Sequence, residues 1–400
     1  MLENLAKYKN EKVNEGMDFK FHGKISQEVL ENYLSRAITY SYMDYIADDA
    51  ARAILNVGAK FVCRTMGNWY PSAGEETEFH IKKAWMDAIH AVDPDIIFEA
   101  CIFETCGIEM NGIKIPAFVF EAFGKEPEDR CFDYKKMEFQ DGTYVNMWCP
   151  NHSVPDITQE EWQMFVYYRA CRFIDLGLES IHMGQTGLMG RDDPKRECWT
   201  KVIRMMREYA LKNGRRGYVL FNSHDGSHKI VDTDGNMMVD FNMYPLRLIA
   251  PKDAEYHEIS EDNPQICVID LERDAPYKKG ISGTSPSGWY AEKYPYLVEI
   301  DNYGGKFKGD HPFTVWGYDE ISWFANQPDW YRRQFMIDVR KMVADLNENG
   351  HVAMPGSRCA YLESLGKMDF YHINTKTDAF PDGFSDEEAL IKAFETVKLA

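Results

Sequence analysis

The chain of 400 residues is long for one domain but lies within the range of α/β barrels. With 44% hydrophobic and 27% charged residues it is globular rather than disordered. A net charge of -19 without any cluster of Lys and Arg excludes nucleic acid and anionic membranes as partners, because phosphate binding needs concentrated positive charge.

The N-terminal stretch MLENLAKYKNEKVNEG has no apolar run that could serve as a signal peptide, and no later run reaches membrane-spanning length. The expectation is therefore a cytoplasmic protein. Nine cysteines, an odd number at irregular spacings, fit reduced thiols. Cys101 and Cys106 lack zinc-finger spacing.

In chain order, residues 26–35 predict a helix and residues 37–43 (AITYSYM) a first strand. A helix over 45–57 leads to a second strand at 59–65 (AKFVCRT). The next helix, 75–91, opens on Ser72 and Glu75 at capping-box spacing, and Pro94 ends it before a third strand at 95–104 (DIIFEACIFE). Residues 105–155 break the alternation, with Asn111-Gly112 and Asp141-Gly142 as expected hairpin turns of an inserted β-rich subdomain. A helix over 158–176, with Thr158 and Glu161 as a second capping pair, precedes the fourth strand, 179–184 (ESIHMG). A helix over 194–213 then leads to the fifth, 218–224 (YVLFNSH).

A second hairpin insertion spans 227–262 and turns at Asp234-Gly235. Its DTDGN resembles half a calcium loop but lacks the distal glutamate. Residues 267–272 (CVIDLE) predict the sixth strand and 294–301 the seventh. A helix over 329–347 with Phe335, Val339 and Val343 at helical spacing, an eighth strand at 351–354 and a helix from Ser385 complete the chain. The pattern predicts one (β/α)8 TIM barrel over residues 1–400, with β-hairpin insertions after strands three and five. A doubly wound open sheet is the alternative, but no Gly-rich phosphate loop follows the first strand.

In such a barrel the C-terminal strand ends form the pocket, so polar residues there are the site candidates. They are Arg64, Glu99 and Glu104, His182 and Gln185, Asn222 and His224, Asp270 and Glu272, and Glu299 and Asp301. Alternation puts Leu297, Glu299 and Asp301 on one face, Val268, Asp270 and Glu272 on another, and Leu220, Asn222 and His224 on a third. Glu99 and Glu104 fall on opposite faces, and Glu104 is taken as nearer the strand end. Arg64 either pairs with a barrel acid or contacts substrate, and His182 is either a hydrogen-bonded core histidine or a base. The His224-Asp225 and His228 pattern lacks the helix that would make it a metal site.

Inward carboxylates on adjacent strands repel unless a cation or a shared proton lies among them. Aromatic walls for a sugar are offered by Trp69-Tyr70, Trp148, Trp289-Tyr290 and the run 316–330, where Trp316 and Trp323 flank Asp319 and Glu320. In outline, over most of its length, the chain resembles the glycoside-hydrolase-like TIM barrels, without a family-specific signature. That resemblance implies a nucleophilic glutamate on strand seven, a role Glu299 suits. It also implies an Asn-Glu acid/base at the end of strand four, where this chain has IHMGQ and no carboxylate before Asp192.

The sequence thus predicts a glycoside hydrolase acting on a small-molecule or oligosaccharide substrate through paired carboxylates. Glu299 is nucleophile or base and Glu272 general acid, with Asp270, Asp301 and Glu104 as alternatives. Arg64, Trp69, His182, Gln185, Asn222, His224, Trp316, Asp319 and Trp323 would bind the sugar. No cofactor or metal is called for, and a homo-oligomer is compatible with the reading. The alternatives are a divalent-metal sugar isomerase or epimerase built on Glu104, His182, His224, Asp270 and Glu299, and a barrel that binds carbohydrate without catalysis.

Overall fold

The computed structural model describes residues 5–41, 47–224, 231–249, 267–270, 281–303, 305–306 and 315–396. The barrel strands are β1 (Ala37–Tyr40), β2 (Phe61–Met66), β3 (Ile97–Cys101), β4 (Ser180–His182), β5 (Leu220–Asn222), β6 (Asn242–Pro245), β7 (Tyr296–Glu299) and β8 (Gly350–Leu362). They lie in the order β5-β4-β3-β2-β1-β8-β7-β6, every neighbouring pair parallel. Two further backbone bonds cross the seam between β5 and β6: Asp240 N–H to Phe221 C=O at 2.8 Å and Met243 N–H to Ser223 C=O at 3.1 Å. These eight strands make the (β/α)8 barrel that the alternation predicts. Beyond the barrel β8 runs on and pairs antiparallel with β9 (Lys367–His372).

Besides the short Ala117–Ala122 and Thr186–Met189, the described α-helices are α1 (Gln27–Leu34), α2 (Ala47–Asn56), α3 (Glu75–Val92), α4 (Glu160–Asp175), α5 (Glu197–Asn213), α6 (Glu320–Ala325), α7 (Asp329–Leu346) and α8 (Glu387–Thr396). No described helix is long and apolar enough to cross a membrane. Ser26 caps α1, its hydroxyl accepting from Val29 N–H at 3.2 Å. Only half of the expected box forms at α3: Glu75 accepts from Ser72 N–H at 2.9 Å, while its other oxygen takes Arg169 Nη2 at 2.8 Å. At α4 the expected pair does not form, because Glu161 binds Arg130 at 2.6 Å instead.

Side-chain alternation divides the core in two. One cluster fills the barrel interior toward its N-terminal end, where Phe61, Ile97, Leu220, Phe241, Met243 and Leu297 meet Phe19, Tyr33 and Leu34. The larger cluster lies between strands and helices and takes the opposite faces, including Val62, Phe98, Ile181, Phe221 and Val298. The apolar residues of α7, Phe335, Val339 and Val343, are buried in it as their spacing predicts.

The sixth strand lies elsewhere than expected. Within 267–272, Val268–Ile269 pairs antiparallel with Leu248–Ile249 as an accessory ladder. The barrel position is taken by Asn242–Pro245, from inside the stretch read as a hairpin insertion. Pro245 ends that strand opposite Glu299, where a missing N–H is tolerated. In that stretch Val231 and Met237 bridge around Gly235, whose φ is +84°. In 105–155, Asn111-Gly112 closes a 3-10 turn, Ile108–Gly112, rather than a hairpin. Besides isolated bridges, the described ladder there is Cys106–Gly107 with His152–Ser153, so that segment is loop and short helix more than sheet.

Candidate active site

Glu299 ends β7 and is completely buried on the inward face it shares with Leu297. Arg64 Nε donates to its Oε2 at 3.1 Å and Arg64 Nη2 to its Oε1. His224 Nε2 lies 2.9 Å from Oε1, and Arg358 Nη2 lies 3.6 Å from Oε2. Burial would raise the pKa of this carboxyl. Arg64, Arg358 and His224 together outweigh burial and hold it well below the usual carboxylate range. Arg64 reaches it through an irregularity in β2, whose register against β3 shifts between Val62 and Met66. Arg64 itself takes φ +63°, and such a bulge re-aims a side chain. Of the two readings of Arg64, the ion pair with a barrel acid is therefore present.

A second polar chain crosses the interior. Glu99 Oε2 accepts from Asn222 Nδ2 at 2.6 Å and Ser180 Oγ at 3.0 Å. Asn222 Oδ1 lies 2.6 Å from His182 Nδ1, so that nitrogen carries the proton and Nε2 the lone pair. His182 Nε2 and Glu99 Oε1 are buried without hydrogen-bond partners among the described residues. Burial pushes Glu99 up to about 7, against the pull of Arg64. Burial, then Arg64 and His224, push His182 well below its ordinary value, so it stays neutral. The His182 and His224 rings stand edge to face with centroids 4.6 Å apart and join the two chains.

The other candidates divide. Asp301 binds Arg358 at 3.1 Å beside this cluster, and its side chain keeps 12% exposure. Arg358, which the sequence reading missed, sits on the part of β8 beyond its predicted end. Glu104, preferred over Glu99, instead clamps the turn after β4: Gln185 donates to it through its backbone N–H at 3.1 Å and its side chain at 2.7 Å. Glu99 shares parity with Ile97 and belongs to the interior chain. Asp270 is buried, and its N–H donates to Arg247 C=O at 2.8 Å on the accessory ladder rather than on a barrel strand. Glu272, Asp225 and His228 lie outside the described residues.

Among the aromatics, Trp69 is half-buried and packs on Phe103 and Trp148 at 5.2 and 5.1 Å. Trp316 is half-buried, with φ +48°. Trp323 cannot form a sugar platform, because it is completely buried against Tyr331 and Phe335. Asp319 is likewise a structural residue. It caps α6 by accepting from Ser322 N–H at 2.9 Å, and its other oxygen accepts from Gly305 N–H. Glu320 pairs with Arg247 at 2.9 Å, and burial pushes its carboxyl well above the usual range. Among the described residues no three His, Cys, Asp or Glu side chains converge as a metal site requires, which leaves the isomerase alternative without a ligand set there.

Fold and site together define a (β/α)8 barrel with an acid–base cluster at the C-terminal ends of its strands. No family model matches the sequence, and no curated protein matches it. Solved structures with a similar outline include a debranching enzyme from Nostoc punctiforme, at TM-score 0.41 and 10% identity over 92% of this chain and 81% of that one. Another is the glycoside hydrolase domain of PelA from Pseudomonas aeruginosa, at TM-score 0.36 and 10% identity over 79% of this chain and 93% of that one. A third is an endo-1,4-beta-mannanase from Eisenia fetida, at 0.34 and 9% over 90% and 87%. At these TM-scores no residue role and no substrate is transferred, and the barrel rests on its own strand order.

Proposed function

We propose that the protein is a glycoside hydrolase-like enzyme acting on a carbohydrate. The observation that carries the reading is the ionised Glu299 at the end of β7, held between Arg64, Arg358 and His224. A carboxylate kept charged there can attack an anomeric carbon or activate water, and a second carboxyl must protonate the leaving oxygen. Glu272 is the proposed general acid, with Asp301 and Asp270 as alternatives; Asp301 gains support from its partial exposure beside Glu299. Arg64, Gln185 and His224 would hold sugar hydroxyls, with the fully buried His182 and Asn222 positioned behind them, and Trp69 and Trp316 would offer ring faces.

A second reading, a barrel that binds sugar without cleaving it, is favoured by the complete burial of Glu299 under Arg64. A panel of aryl glycosides separates the two. Glu299→Asp keeps the charge that neutralises Arg64 but draws the carboxylate back by one methylene. Hydrolysis by the native chain, reduced about a hundredfold or more in E299D with an unchanged circular dichroism spectrum, is the expected result. Unimpaired turnover in E299D removes Glu299 from the chemistry. Sugar binding without turnover in the native chain establishes the second reading.

A further inference from the structure

The loop after β3 carries a set of groups that the barrel mouth does not use. Cys149, Pro150, Asn151 and His152 form a tight turn in which His152 N–H donates to Cys149 C=O at 3.0 Å. Asn151 takes φ +64°, as the third position of a type II turn requires after Pro. The turn brings Cys149 Sγ to 3.1 Å from His152 Nδ1. His152 then pairs across to Gly107 in the short ladder, and Glu109, two residues on, reaches back so that its Oε2 lies 2.8 Å from His152 Nε2. A Cβ at position 107 would collide with the imidazole, so this packing requires glycine. Tyr70 covers another side of the ring, centroids 4.3 Å apart.

Hydrogen-bond accounting gives this cluster a direction. A carboxylate only accepts, so Nε2 must carry a proton toward Glu109. Nδ1 also lies 3.1 Å from the carbonyl of Pro150, which likewise only accepts. Both acceptors are met together only when both ring nitrogens are protonated, and the Cys149 thiol is in contact to supply the second proton. Transfer of the thiol proton to Nδ1 would leave a thiolate, the nucleophilic form, on Cys149. Cys149 is half-buried, so solvent reaches it.

We propose that Cys149, His152 and Glu109 form a nucleophilic thiol site for carbon electrophiles, with Cys149 as nucleophile, His152 as base and Glu109 as the residue that positions the ring. The thiol proton moves to Nδ1, Sγ bonds the electrophilic carbon, and the leaving group departs with its bonding pair. With iodoacetamide a carbon–sulfur bond forms, the carbon–iodine bond breaks and iodide leaves.

The test is limiting iodoacetamide at pH 6.5 on the full chain, with site occupancy read by peptide mass spectrometry. Cys131, Cys198 and Cys359 are also half-buried and serve as internal references. Cys149 should be alkylated about tenfold faster than any of them. His152→Asn should erase that excess and move the reaction toward the pH range of an ordinary thiol, about 8.5. Glu109→Gln should cut it several-fold while the references keep their rates, which also shows that the fold is intact. Equal rates at Cys149 and Cys131, or an excess that survives in H152N, overturn the proposal. An unchanged rate in E109Q removes Glu109 from it.

Discussion

Glu99 and Glu299 are both completely buried in the barrel, yet their neighbours move their pKa values in opposite directions. Glu299 meets two guanidinium groups and an imidazole, and the Coulomb attraction exceeds the cost of taking its charge out of water. Glu99 meets neutral donors, Ser180 and Asn222, and Arg64 only partly offsets burial, so its pKa rises from 4.5 to about 7. Between those values the unfolded chain releases a proton that the folded chain keeps, so stability falls as pH rises through that window. Glu99→Gln removes this dependence. From pH 4.5 to pH 7.5, urea unfolding should show the native chain losing on the order of 3 kcal/mol through this group, and E99Q should lack that loss. Identical slopes in the two proteins would show that Glu99 ionises freely in the fold.

At the scale of elements, the site depends on turns that leave no room for side chains. After β2 the chain passes Gly67 at φ +104°, and a Cβ there would run into the carbonyl oxygen of Cys101 at the end of β3. That close approach holds the Arg64 irregularity against the strand carrying Glu99. Gly67→Ala combines backbone strain with a backbone clash that no rotamer relieves. It should cost about 2 kcal/mol or more, seen as a lowered Tm. Gly184 repeats the arrangement after β4, with φ +56° and the Glu104 carboxylate where a Cβ would stand. A Tm unchanged in G67A would mean the turn after β2 can move away from β3.

Over the whole molecule, the described pairing is sparsest at the β5–β6 seam, the one neighbouring pair of barrel strands without a ladder among the described residues. Among the described residues the β5–β6 seam is joined by the two backbone bonds from Asp240 and Met243 and by the Asp240 side chain. That carboxylate accepts from Phe221 N–H at 2.8 Å, Arg207 Nη2 at 3.0 Å and Tyr218 Oη at 2.6 Å, so it ties α5 and β5 to β6. Asp240→Asn should cost about 2 kcal/mol, since it leaves the half-buried Arg207 guanidinium beside a neutral group. It should also raise amide exchange in residues 220–222 and 242–245 before it does so in β1 and β2. Uniform exchange changes around the barrel would show that closure does not depend on this brace.

Much of this was legible from local pattern. Leu297 and Glu299 point inward because alternate residues of a strand must, and the helix over 329–347 follows from apolar residues one turn apart. Such signals survive in sequence because they act over a few residues. Asn242–Pro245 carries no periodic signature because Asn242, Met243 and Tyr244 are buried on both faces, and its ladder partners on β7 lie more than fifty positions away. Trp323 and Asp319 sit in a run that reads as a sugar loop, but packing against α7 and the cap of α6 claims them. Arg358 and Glu109 gave no local sign of the carboxylate and the imidazole they meet. Side-chain parity within a strand is a property of short range and could be read directly on β7, whereas the place of the sixth strand could not. Which acid is charged, which tryptophan is covered and which histidine faces a thiol depend on burial and on partners distant in sequence, which exist only once the barrel has closed.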